Sequence, residues 1–82
     1  MDKESEKFVE KVLNLFAEKI RITIFFGDES SDAIKLGKEL DKLIGQATDE
    51  ELKNISKDSL FKTNSEQIYK DLVKRRERNR IH

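Results

Sequence analysis

Phe8, Val9, Val12, Leu13, Phe16 and Ile20 recur at three- and four-residue spacing, which places one apolar stripe along a helix. The pattern predicts a first helix from about Lys3 into the twenties. Its end has two readings. Ile20-Arg21-Ile22-Thr23-Ile24-Phe25-Phe26 is rich in β-branched and aromatic residues, and its alternation also suits a strand. Ile20, Thr23 and Ile24 continue the helical stripe, which favours helix. Gly27 then ends the segment, because glycine takes the left-handed conformation of a C-cap without steric cost.

Asp28 to Asp32 supply the next N-cap and put acids in a first turn, where the helix dipole favours them. A second helix is expected from about Ser31 to Ile44, with Ala33, Leu36, Leu40 and Leu43 on one face and Gly45 just beyond its end. Thr48-Asp49-Glu50-Glu51 is a capping-box pattern opening a short third helix through Leu52 and Ile55. Thr63-Asn64-Ser65-Glu66 repeats it before a fourth helix carrying Ile68, Tyr69, Leu72 and Val73. Lys57 to Lys62 reads as the hinge between these last two. The fold class expected is all-α: an antiparallel helical hairpin over residues 1–46, extended by two short helices over 47–82 into one small bundle.

Composition narrows this further. Charged residues make up 41% of the chain against 35% hydrophobic. An 82-residue chain of that kind buries one narrow apolar seam, so self-association as a homodimer is an open alternative. Absence of Pro, with three Gly, favours helix throughout. No Cys is present, so there is no disulfide framework or thiolate chemistry, which fits a reducing cytoplasm. No apolar run reaches membrane-spanning length, and the acidic start Met1 to Glu6 is unlike a signal peptide. Net charge is zero but uneven. Lys70 to His82 hold six basic and two acidic residues, and the rest holds eleven and fifteen. An acidic body therefore ends in a basic tail.

The second helix carries the candidate chemistry. Gly37 and Asp41, four residues apart, stack on one flank beside the Leu36/Leu40 seam. Gly inside a helix costs about 1 kcal/mol relative to Ala, which suggests close approach of another backbone there. Asp41 at the stripe's edge is a carboxylate held rigidly within reach of a partner. Periodicity alone also allows Glu39 and Asp41 to be a solvated face pairing with Lys35, Lys38 and Lys42.

Gly27 through Ile44 resembles the signature of the stage-zero sporulation aspartyl-phosphate phosphatases, a family of short helical hairpins. Their second helix carries Ser-Gln-Glu-Leu-Asp and then an apolar pair, at a matching distance after a turn glycine. Here the turn glycine is Gly27, the last three motif residues are Glu39, Leu40 and Asp41, and the pair is Leu43-Ile44. Gly37 stands in the Ser place and Lys38 in the Gln place. The resemblance reaches back to Phe8 and stops at Gln46. It implies a protein that acts on the aspartyl-phosphate of a phosphorylated response regulator, either hydrolysing it or binding it without catalysis. It implies no cofactor of its own, since the regulator supplies the divalent metal, Mg, that neutralises the phosphoryl oxygens. Asp41 would then accept a hydrogen bond from the attacking water, as base or orienting group. Glu39, Gly37 and Lys38 would form the docking face.

Two other classes stay open. Lys74, Arg75, Arg76, Arg78 and Arg80 could contact nucleic-acid phosphates, or simply be a solvated helix end whose cations suit the dipole. Tyr69 is the one aromatic near them, too few for a stacking platform. A strand at Arg21–Phe26 would turn the chain toward a ribbon-helix-helix DNA binder. A catalytically silent interaction module, of inhibitor or immunity type, is the third class. No Gly-rich phosphate loop, metal-ligand cluster or Ser/His/Asp arrangement stands in the sequence.

Overall fold

The computed structural model describes residues 2–58, 60–61 and 64–80. Four helices follow in order, α1 Lys3–Phe26, α2 Ser31–Gln46, α3 Asp49–Ser56 and α4 Ser65–Arg80, and no strand occurs among the described residues. Arg21 to Phe26 are helical, so the ribbon-helix-helix alternative loses its strand. The local β preference of that stretch gives way to continuation of the α1 stripe.

Each helix start has a chemical reason. Asp2 caps α1 by accepting from the Ser5 N–H at 2.8 Å. That bond holds the Asp2 carboxyl below its ordinary value. The cap is therefore fully present at neutral pH and fades as falling pH protonates it. Ser30 Oγ accepts from the Ala33 N–H at the head of α2. The capping box at α3 is complete, with Glu51 N–H donating to Thr48 Oγ1 and Thr48 N–H to Glu51 Oε1. At α4 the expected pair falls partly on Thr63, which lies outside the described residues. Asn64 Oδ1 takes the Glu66 N–H there at 2.8 Å.

Gly27 closes α1 with φ 87° and ψ 162°, its N–H still donating to Thr23 C=O. The φ is the positive value glycine was expected to supply, but the ψ is extended rather than left-handed helical. Gly45 does not end α2. The helix runs through it to Gln46, with Ala47 as C-cap.

α1 and α2 form the antiparallel hairpin, α3 packs on α1, and α4 lies across α2 and α3. The core lies in the half away from the hairpin turn. Val9 and Val12 of α1, Leu40 and Ile44 of α2, Ala47, Leu52 and Ile55 of α3, and Leu72 of α4 make one buried cluster. At the turn end only Ala33 is fully buried, and Ile24, Phe25 and Phe26 are about three-quarters exposed. The expected hinge is a tied turn where it is described. Asp58 Oδ1 accepts from Leu60 N–H, and Phe61 meets Phe16 edge-on, with ring centroids 5.3 Å apart. Ser59 and Lys62 of that segment lie outside the described residues.

Candidate functional site

The three residues Glu39, Leu40 and Asp41 point in three directions because successive residues on a helix are about 100° apart. Glu39 is exposed, Leu40 is fully buried in the core, and Asp41 is half-buried on the flank facing α4. Asp41 is not free to meet a partner unaided. Its Oδ1 accepts a hydrogen bond from Nε of Arg75, an ion pair joining α2 to α4. Both ends keep some solvent contact, 39% of the Asp41 side chain and 24% of Arg75. The pair is therefore worth only about 1 kcal/mol or less.

This pair borders a trough of about 520 Å³. Phe16, Phe61, Ile68 and Leu72 give it an apolar lining, and Asp41, Asp71, Arg75 and Arg78 bring two negative and two positive charges to it. Its size lies within the range of ordinary binding clefts. Its charge balance suits a partner segment that is itself apolar with mixed charges, rather than a free polyanion.

Gly37 and Lys38 sit one turn earlier. A side chain at Gly37 would meet only the flexible end of Lys19, with Nζ at 3.4 Å. The expected close backbone approach is absent there and occurs at Gly45 instead. A Cβ at Gly45 would lie 3.2 Å from Asn79 Cβ and 3.9 Å from its carbonyl carbon. Gly37→Ala is accordingly expected to raise stability by about 0.5–1 kcal/mol, because it removes unfolded-state freedom without a clash. Thermal unfolding measures this, and a loss of stability would show that the Lys19 end cannot yield.

The basic tail is the largest departure from expectation. It is solvated on one face, where Lys74, Glu77, Arg78 and Arg80 are exposed, and packed on the other. Arg76 is buried, with 9% of its side chain exposed, and its Nη1 donates to Ala47 C=O at 3.3 Å and pairs with Asp49 Oδ1 at 2.6 Å. Its Nε has no hydrogen-bond partner; Glu77 Oε1, at 3.6 Å, is only an electrostatic neighbour. Arg80 Nε donates to Gly45 C=O at 3.3 Å, and Asn79 Nδ2 to Arg75 C=O at 2.8 Å.

The cause lies in α2. A helix leaves its last carbonyls without partners, and the last turn of α2 holds no basic residue. Arginines from α4 supply both the donors and the positive charge favoured at that helix end. The sequence held one signal of this: an acidic body whose cation surplus all stood in the tail.

Of the five tail cations, Arg75, Arg76 and Arg80 are thus engaged within the chain. Lys74 and Arg78 have no hydrogen bond or ion pair among the described residues. Tyr69 carries the Lys53 ammonium over its ring at 5.8 Å. No group of three or more His, Cys, Asp and Glu that could hold a metal ion occurs among the described residues. No described helix is long and apolar enough to cross a membrane.

No protein-family model, curated protein or solved structure matches the chain. The resemblance to the sporulation phosphatases therefore rests on the sequence motif alone.

Proposed function

We propose that this chain works by binding a partner protein, without catalysis, through the trough beside Asp41 and Arg75. A phosphorylated response regulator is the partner class the resemblance names. The observation that carries the proposal is the engagement of Asp41. A carboxylate that must orient a water toward an acyl phosphate needs its acceptor oxygens aimed at that water. Here one of them is taken by a guanidinium from α4. Gly37 and Lys38 add no Ser hydroxyl or Gln amide beside it. The apolar lining and balanced charges of the trough supply the features of helix-in-groove recognition.

The hydrolytic form of the reading needs Arg75 to release Asp41, with the metal still coming from the regulator. The nucleic-acid form has less support, because three of the five tail cations are committed to Asp41, Ala47, Asp49 and Gly45.

The test uses a response regulator phosphorylated on its aspartate, with Mg present, and follows both complex formation and phosphate release. Binding is expected without faster release. Arg78→Glu, which inverts a charge at the trough and breaks no internal bond, should weaken binding about tenfold, or about 1.4 kcal/mol. Asp41→Asn should leave phosphate release unchanged. Accelerated release by the parent chain, falling tenfold in Asp41→Asn, would establish the hydrolytic form instead. Absence of both binding and release would remove the response regulator as partner.

A further inference from the structure

The end of the hairpin carries an apolar patch that none of the described residues covers. Ile24, Phe25 and Phe26 are 73%, 74% and 73% exposed, and Ile20, one turn before Ile24, is 42% exposed. Successive helical residues turn by about 100°, so Phe26 faces away from Ile24, whereas Ile20, Ile24 and Phe25 share one face; large apolar side chains standing together at such exposure mark a docking surface. Glu18 and Arg21 precede Ile24 and Phe25 on α1, Asp28, Glu29 and Asp32 follow them in the turn and the first turn of α2 with Lys35 beyond, and Lys19 turns toward Gly37. Arg21, Ile24, Phe25 and Asp28 follow the spacing of one helical face, although Asp28 stands just past the helix end. That face reads positive, apolar, negative.

A surface of that order is complementary to itself when turned end for end. A two-fold axis near Ile24 would stack apolar centre on apolar centre and bring the Arg21 of each copy to the acidic turn of the other. Such matching of one patch with itself is what an isologous dimer requires. Among the described residues Arg21 pairs only with Glu18, at 2.7 Å, both well exposed. Such a surface pair is weak and easily exchanged. From the usual size of such side chains, the apolar area exposed on this face is on the order of 300 Å² per copy. Two copies together reach about 600 Å² of apolar area, below the usual size of a stable specific interface. The dimer is therefore a weak one that depends on concentration. The three acids beside the patch argue against an anionic lipid surface as its occupant, since they would repel the headgroups.

We infer that the hairpin tip is a self-association surface, at which a second copy of this chain docks antiparallel across Ile24 and Phe25. This surface is separate from the Asp41–Arg75 trough and does not depend on the function proposed for it.

Sedimentation of the full chain over the micromolar to millimolar range tests the inference, with circular dichroism confirming that each variant keeps its helices. The parent should pass from monomer to dimer, and Phe25→Asp should raise the dimer Kd by at least about tenfold. Arg21→Glu and Asp28→Lys should each weaken the dimer, and the double exchange should restore it. A parent that stays monomeric throughout, or a dimer indifferent to Phe25→Asp, would overturn the inference. So would failure of the double exchange to restore association. Flotation of the parent with vesicles of phosphatidylcholine and phosphatidylserine should recover no protein, and co-flotation would assign the patch to lipid instead.

Discussion

Removing residues 75–82 is expected to destabilise the protein by about 3–5 kcal/mol, a large share of the 5–15 kcal/mol typical of a domain. The deletion takes the last six residues of α4, including the buried Arg76 and the Asn79 side chain packed on Gly45. Hydrogen bonds from a charged donor contribute about 1.5–3 kcal/mol each where solvent is excluded. The Arg76 bond to Ala47 C=O belongs to that class, whereas Arg76–Asp49, Arg75–Asp41 and Arg80–Gly45 are nearer the surface and contribute less. For a chain of this length each kcal/mol moves the midpoint by about 4–8 °C, so a drop of roughly 12–40 °C is expected.

Point variants separate the contributions. Arg76→Ala should cost about 2–3 kcal/mol, since it removes the stem and the donor while the remaining tail still covers the Ala47 carbonyl. Arg76→Met should cost less, because it keeps the stem's packing. Asp49→Asn should cost under about 1 kcal/mol, its side chain being 69% exposed. A truncated chain melting within a few degrees of the parent would mean that the tail is the solvated end its composition suggests.

That contrast shows what a sequence of this kind reveals. The helices were legible because each carries its own signals: a stripe at helical spacing, a capping oxygen, an acid in the first turn. Such signals act within a few residues of each other. The end of α2 was harder to place because Gly45 looks like a terminator. In the structure it is a helical residue whose missing side chain admits Asn79, 34 positions later in the sequence. Beyond its charge surplus, the role of the tail leaves little mark in the sequence for a related reason. Its arginines answer backbone carbonyls at Gly45 and Ala47, and a carbonyl leaves no trace in residue identity. The candidate site was half legible. Asp41 was found at the edge of the stripe, but Arg75, which engages it, was read as part of a basic run. Phe16 and Phe61 both looked like helix or hinge residues, and only the fold brings them together at the trough.

Leu40→Ala should be the most damaging single substitution in the Glu39-Leu40-Asp41 stretch, at about 3–4 kcal/mol. Leu40 is fully buried, within a cluster that joins Val9 and Val12 of α1, Ile44 of α2, Leu52 and Ile55 of α3 and Leu72 of α4. Truncating such a residue removes its transfer free energy and leaves a cavity, which together cost about 2–5 kcal/mol in well-packed cores. Charge plays no part, so the loss should be the same at low and high salt. Asp41→Asn, one residue away, should cost under about 1 kcal/mol, and that cost should shrink as salt screens the Arg75 pair. The two variants thereby divide the stretch into a packing residue and a surface residue. Urea unfolding measures both, with an unchanged m-value showing that the comparison is between like states. A cost below 1 kcal/mol for Leu40→Ala would mean that α2 does not seat in the core as described. Asp41 would then lose the rigid placement beside Arg75 on which the proposed binding trough depends.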